Sequence, residues 1–229
     1  MAMVEARDIQ KAFGRKKVLS GVSFFIEKGQ CVGIAGANGC GKSTLLSVMA
    51  GAVRPDGGQI LYDGKPAGRQ AIYSITGYVP QGNPLLPELS VKDNLRLWFK
   101  GRTKEWKASA DSGIVPMLGL DTVWKTAAGK LSGGMKRPLT LACALISHPQ
   151  FLILDEPGAA LDVVCKEEML QYLRDYMEHG GTMLLASHEE GELALCSRLF
   201  IMEEGTVRET DAGLGIRQLA SMLNSHGHI

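Results

Sequence analysis

Three short runs along the chain are apolar without alternation: Cys31-Val32-Gly33-Ile34-Ala35, Phe151-Leu152-Ile153-Leu154 and Thr182-Met183-Leu184-Leu185-Ala186. A strand that is apolar on both faces suits a parallel sheet covered on both sides, so each run predicts a core strand. Other β signals are shorter. Val22-Ser23-Phe24-Phe25-Ile26 is β-prone and closes at Glu27-Lys28-Gly29-Gln30, and Gln59-Ile60-Leu61-Tyr62 runs into an Asp63-Gly64 turn. Arg198–Met202 and Gly205–Arg208 predict a closing hairpin with Glu203-Glu204 in its turn. Helical periodicity shows in Met169, Tyr172, Leu173, Tyr176 and Met177, one buried face at i, i+3, i+4, i+7, i+8. Ser43–Ala50 predicts a helix ended by Gly51, and Ile216–Leu223 a short amphipathic helix at the end of the chain.

From about Gln81 to His148 strand signals vanish, and all three tryptophans (Trp98, Trp106, Trp124) fall there amid helix-favouring segments broken by Gly and Pro. This predicts a helical subdomain, 81–148, inserted into an α/β core made of 1–80 and 149–229, the whole forming one domain. Pro116 is expected to start or kink a helix there.

Composition narrows the class. The 229 residues are 45% hydrophobic and 21% charged, ordinary for a globular α/β protein and too apolar for disorder. A formal charge of +1 gives no general field to recruit nucleic acid or an anionic membrane. Arg15-Lys16-Lys17 reads as a solvated turn. No apolar run reaches the roughly 20 residues that cross a bilayer, and Met1–Arg7 lacks the apolar core of a signal peptide. The five cysteines (Cys31, Cys40, Cys143, Cys165, Cys196) are odd in number and scattered, which fits reduced, buried residues better than disulfides or a zinc site. His226 and His228 read as a frayed tail.

The candidate chemistry lies at two strand ends. Gly36-Ala37-Asn38-Gly39-Cys40-Gly41-Lys42-Ser43 matches G-x-x-x-x-G-K-[ST] between an expected strand and an expected helix. Glycines let successive backbone N–H groups turn inward on phosphate oxygens, and the helix N-terminus adds positive potential and free donors. Lys42 is placed to reach the β- and γ-phosphates, the Ser43 hydroxyl to ligate Mg2+, and Thr44 closes the set. Asp155, at the end of Leu152-Ile153-Leu154, is placed to hold Mg2+ directly or through water. Glu156 beside it suits a general base for the attacking water.

With these goes Leu131-Ser132-Gly133-Gly134-Met135, and at this point the chain resembles the nucleotide-binding domain of ABC transporters from about Val4 to the closing hairpin. The resemblance implies the ABC ATPase fold: a P-loop α/β core with an N-terminal antiparallel β subdomain and an inserted helical subdomain. It implies that Phe13 stacks on adenine and that Gln81 senses Mg2+ and faces a membrane partner. It further implies that Asp162, in Ala160-Leu161-Asp162, runs along a dimer interface and that His188 contacts the γ-phosphate. Ser132, Gly133 and Gly134 would close over nucleotide held by a second subunit in a head-to-tail pair, either a homodimer or a heterodimer. The expected cofactors are ATP and Mg2+, and the expected partners a transmembrane permease and a second ATPase subunit, with no nucleic acid. The expected location is the cytoplasmic face of the membrane.

Some positions depart from the family pattern. Met135 replaces the commonest glutamine, although Gly134-Met135-Lys136-Arg137 resembles subunits of drug and lipid exporters. Pro138 removes one helix hydrogen bond, proline in a helix interior costing about 3 kcal/mol, and is expected to bend the signature helix. Gly158 and Ala159 stand where hydroxyl residues are usual. These departures keep open a second reading, a module that dimerises on ATP with little turnover. A soluble ABC ATPase acting on DNA or ribosomes lacks support, for want of a coiled-coil insertion, a tandem domain or a basic excess. A chain that stops soon after the core, with the exporter-like run, favours export over import.

Overall fold

The computed structural model describes residues 2–111 and 113–210; the helix expected over 216–223, His226 and His228 lie outside them. The chain opens with β1 (Ala2–Phe13) and β2 (Lys16–Glu27), an antiparallel pair longer than the sequence pattern suggests. Next come β3 (Cys31–Ala35) and α1 (Lys42–Met49), then β4 (Gly57–Tyr62) and the two-residue β5 (Lys65–Pro66). Asp63 and Gly64 between β4 and β5 both take positive φ, as the Asp-Gly signal requires. Two elements were not legible in the pattern: α2 (Arg69–Ile75) and the four-residue β6 (Thr76–Val79).

A helical stretch follows, with α3 (Val91–Trp98), α4 (Trp106–Asp111), α5 (Ile114–Met117) and α6 (Gly133–Leu145). Among the described residues between 81 and 148 the only β pairing is a single bridge, Ser90 to Ala127. Trp106 stacks on Trp124 (centroids 6.3 Å), Phe99 meets its edge, and the Arg96 guanidinium lies 4.9 Å from its ring centre. Pro116 occupies the first turn of α5, where the absent N–H breaks no helix bond. The chain then returns to β7 (Phe151–Asp155), α7 (Val163–Glu178), β8 (Thr182–Ala186), α8 (Glu190–Leu193), β9 (Arg198–Glu203) and β10 (Thr206–Thr210).

Two sheets result. One is antiparallel, in the order β2-β1-β4-β5; the other runs β10-β9-β3-β8-β7-β6, parallel except for its edge strand β10. Every residue of β3, β7 and β8 is buried. Alternation sorts their side chains into two cores. Phe151, Ile153, Leu184 and Ala186 join α1 and the antiparallel sheet, while Leu152, Leu154, Met183 and Leu185 join α6, α7 and the helical stretch. This explains the non-alternating runs: both faces are covered, so both must be apolar. No helix among the described residues is long and apolar enough to cross a membrane.

Pro138 lies inside α6, and the helix continues through it from Gly133 to Leu145, with Arg137 to Leu145 all buried. Packing of that face outweighs the one lost main-chain bond. Pro138→Ala removes the helix-interior penalty of proline, about 3 kcal/mol, at the loss of two buried methylenes at about 0.8 kcal/mol each, so urea unfolding should show a net gain of about 1 kcal/mol.

Candidate functional site: a phosphate-binding loop under four strand ends

In a parallel sheet, loops leaving the carboxyl ends of the strands share one rim, and ligands bind there. The loop after β3 is the Gly36–Gly41 segment. Its last residue, Gly41, has φ +117°, a conformation hostile to residues with a β-carbon, and it serves as N-cap of α1. No acidic residue occupies the first turn of α1, so its free N–H groups and dipole face the loop unopposed. Lys42 is buried, and its Nζ folds back to donate to Gly36 O at 2.7 Å and Ala37 O at 3.1 Å. The ammonium has only carbonyl oxygens as partners in these bonds, and an anion seated in the loop would supply the charge they lack.

β6, β7 and β8 deliver the rest. Gln81 follows β6, Asp155 ends β7 with Glu156 next, and His188 follows β8. Gln81 Nε2 donates to Glu156 Oε2 at 3.3 Å, and His188 Nε2 lies 3.5 Å from Glu156 Oε1. Glu156 is thereby held between two polar side chains at the rim of an open cleft of about 620 Å3. Asn38, Gly39, Gly41, Lys42, Ser43, Thr44, Gln81, Glu156 and His188 line that cleft. Lys16 and Val18 line it too, although Arg15-Lys16-Lys17 by itself predicts no more than a solvated turn. Its position depends on the β1–β2 hairpin, which pairs Lys16 with Phe13.

Asp155 lies below the rim. It is buried, hydrogen-bonds the Ser43 hydroxyl, and leaves Oδ2 buried with no hydrogen-bond partner among the described residues. Burial pushes its carboxyl up from the ordinary value and the Ser43 bond opposes this; Glu156 raises it further, while Lys42 and Arg137 lower it. An orphaned carboxylate oxygen beside a serine hydroxyl and a phosphate loop is the donor set a hard divalent cation takes. The residues present therefore fit Mg2+.

Three other groups of expected site residues stand outside this cleft. Phe13 is an exposed aromatic (53%) at the hairpin tip, opposite the cleft-lining Lys16. Ser132 caps α6, its Oγ accepting from Met135 N–H at 3.3 Å, and Gly133 and Gly134 lie exposed with no atom near where a β-carbon would project. Asp162 caps α7 through Cys165 N–H at 2.9 Å.

Sequence reasoning missed two buried residues beside the site. Glu192 is one. Its Oε1 accepts from Gly158 N–H at 2.8 Å, and a β-carbon at residue 158 would come within 2.3 Å of that oxygen. The glycine that departs from the family pattern thus makes room for a carboxylate thirty-four residues later. Arg137, the other, donates to five main-chain oxygens. The run Met135-Lys136-Arg137 gave no sign of which cation turns inward.

The strand–loop–helix, the buried Asp155 and the Glu156 carboxylate at the rim define a P-loop nucleotide hydrolase. The model of the ABC transporter family matches residues 19–159. The Nod factor export ATP-binding protein I of Burkholderia lata is 39% identical over 213 residues, which cover 90% of this chain and 69% of that one. The protein so named in Rhizobium etli is 37% identical over 211 residues, 90% and 66% of the two chains. Among solved structures, an ATP-binding subunit of an ABC transporter superposes with TM-score 0.87 at 23% identity, covering 97% of this chain and 99% of that one. The ATP-binding cassette MJ0796, a dimer in a post-hydrolysis state with ADP and Pi, gives 0.81 at 25% identity, covering 93% and 100%. The chain belongs to the ABC transporter family. It is an ATP-binding and ATP-hydrolysing subunit, with the fold that its sequence resemblance implied.

Glu192 yields a pH test. Burial, the largest cause, raises its carboxyl above the ordinary value, with Glu189 adding to this and the Ser187, Gly158 and Lys166 contacts opposing. Below the unfolded carboxyl's value of 4.5 the group is protonated in both states and its contribution is fully present. As pH rises through the higher folded value, that contribution is lost. Glu192→Gln keeps an acceptor for Gly158 and cannot ionise. Its melting temperature relative to wild type should therefore climb as pH is taken from below 4.5 to neutrality.

Proposed function

We propose that this chain powers export through a separate membrane permease, and that the cleft residues act as follows. The observation carrying this reading is the convergence of Lys42, Ser43, Gln81, Glu156 and His188 on one cleft. The open N-terminus of α6 stands outside it. Gly36 to Thr44 wrap the phosphates, and Lys42 exchanges its two carbonyl partners for β- and γ-phosphate oxygens. Ser43 and Asp155 hold Mg2+, with Gln81 nearby; bound there, the metal neutralises developing charge on the phosphates. Glu156 accepts the proton of the attacking water, aimed by Gln81 and His188. Phe13 takes the adenine at the hairpin tip.

A capped helix end with exposed Gly133 and Gly134 and no acid in its first turn suits an anion. That anion is the γ-phosphate on a second subunit, in a head-to-tail pair; Asp162 then lies along the shared interface. MJ0796 was solved as a dimer, which supports this reading. The low-turnover alternative drew on Pro138, Gly158 and Ala159. α6 continues through Pro138 and Gly158 answers to Glu192, so turnover is the reading we favour.

The 81–148 segment is the subdomain that meets the permease, at the cytoplasmic face of the membrane. Between it and the core runs an apolar groove of about 740 Å3, bordered by Tyr73, Tyr78, Pro80, Pro84 and Trp98. Asn94 pins the adjoining loop, with Oδ1 accepting from Leu86 N–H and Nδ2 donating to the carbonyls of Leu86, Leu89 and Ser90. The relative cbiO1 of Clostridium perfringens is part of the transporter complex cbiONQ, and the curated relatives are named for Nod factor export. Both support a permease partner, and the latter supports the direction.

Glu156→Gln should lower kcat by about 100-fold or more while MgATP still binds; equal ATPase rates in the two forms would sink the assignment of Glu156. On the docking face, Lys92 is exposed and without a ring contact, whereas Arg96 lies over Trp106. Lys92→Glu is therefore the cleaner charge reversal. Transport in reconstituted vesicles should fall while basal ATPase stays at the wild-type level, and unchanged transport would move the docking surface elsewhere.

A further inference from the structure

Arg137, the fifth residue of α6, is buried, and the five N–H groups of its guanidinium meet five main-chain oxygens. Nε donates to Pro157 at 3.1 Å. Nη1 donates to Pro80 at 2.6 Å and Gln81 at 3.4 Å, and Nη2 to Asp155 at 2.8 Å and Glu156 at 2.6 Å. One planar cation thus spans three separate pieces of chain: the signature helix, the segment after β6 that carries Gln81, and the exit of β7 that carries Asp155 and Glu156.

That exit is under strain. Glu156 has φ +49° and Ala160 φ +63°, both in the left-handed region that residues with a β-carbon resist. Glu156 is held there from both sides of its backbone. Its N–H donates to Ala186 O at 2.9 Å, and its carbonyl accepts from Arg137 Nη2 at 2.6 Å and from Ala159 N–H at 3.1 Å. Without the guanidinium, five carbonyls around the site lose the Arg137 donor, and the Glu156 carbonyl keeps only the bond from Ala159, within the turn itself. The carboxylate between Gln81 and His188 is aimed by this backbone.

We propose that Arg137 is a positioning residue that couples the two half-sites carried by one chain. It sets Gln81 and Glu156 in the chain's own cleft, and it makes the N-terminus of α6, the lid for a second subunit's nucleotide, move with them. This rests on the head-to-tail reading above. Lysine carries the same charge but has three donors on a single nitrogen and cannot span five acceptors in a plane.

The test compares wild type, Arg137→Lys, Arg137→Met and Glu156→Gln, with folding monitored by thermal melts. Arg137→Met should lose about 100-fold in kcat, the scale of a misplacement of about 1 Å, and Arg137→Lys should fall between it and wild type. Affinity for the fluorescent probe MANT-ATP with Mg2+ should stay within about twofold in both, because the phosphate loop is untouched. Hydrogen exchange adds a readout that mere destabilisation does not give. MgATP should slow exchange at the first turn of α6 in wild type and leave it unchanged in Arg137→Met, while the loop around Lys42 is protected in both. If Arg137→Met fails to fold, Arg137→Lys decides: reduced kcat at unchanged MANT-ATP affinity supports the proposal, and a wild-type kcat overturns it. An α6 response in Arg137→Met equal to wild type overturns the coupling. Glu156→Gln hydrolysing at the wild-type rate overturns the site reading itself, and the strut with it. Hydrolysis that needs Glu156 but ignores Arg137 overturns the strut alone.

Discussion

A parallel sheet covered on both faces has no wet surface along its strands. β3, β7 and β8 are buried at every position, with one core on each side, and polar groups placed mid-strand would have lost their water without finding partners. Chemistry is thereby pushed to the strand ends. Because the strands run the same way, their carboxyl ends open onto a single rim. Gln81, Asp155, Glu156, His188 and the phosphate loop are neighbours for that reason, although the sequence spreads them over more than 150 residues.

The rim is stabilised by main-chain contacts more than by ion pairs. Lys42 rests on carbonyls of its own loop, Arg137 on five carbonyls from two other segments, and Glu192 on the Gly158 N–H. Such contacts tolerate drift in side-chain identity while fixing the backbone. They also explain why a departure from family pattern need not be damage. Gly158 lets the Glu192 carboxylate approach its N–H closely, and Pro138 lies in a helix whose buried face continues past it.

The two ends of the α6 story belong to different sites. Its N-terminus, with Ser132 as cap, does not line the chain's own cleft, while Arg137 one turn later reaches the backbone that carries Gln81 and Glu156. A single helix therefore carries both an exposed glycine end and a buried, inward-reaching arginine.

The sequence by itself determined the three buried strands, the glycine-rich loop, the strand-end aspartate with its neighbouring glutamate, and the closing hairpin. Each is written in local periodicity or in residues within a few positions of one another, where backbone geometry leaves little choice. The resemblance of Leu131–Met135 and its order relative to Asp155 and Glu156 pointed to the family that the comparisons then established. Only the tertiary structure decided the rest. β6 is four residues long and stands out in no pattern, because its strand character comes from pairing with β7. Lys16 looks like any solvated lysine until the β1–β2 hairpin sets it beside the phosphate loop. Arg137 and Glu192 are charged residues whose burial no local rule foretells. What buries them is the set of main-chain donors and acceptors brought within reach from residues 18 to 57 positions away, and that set exists only once the sheet has formed.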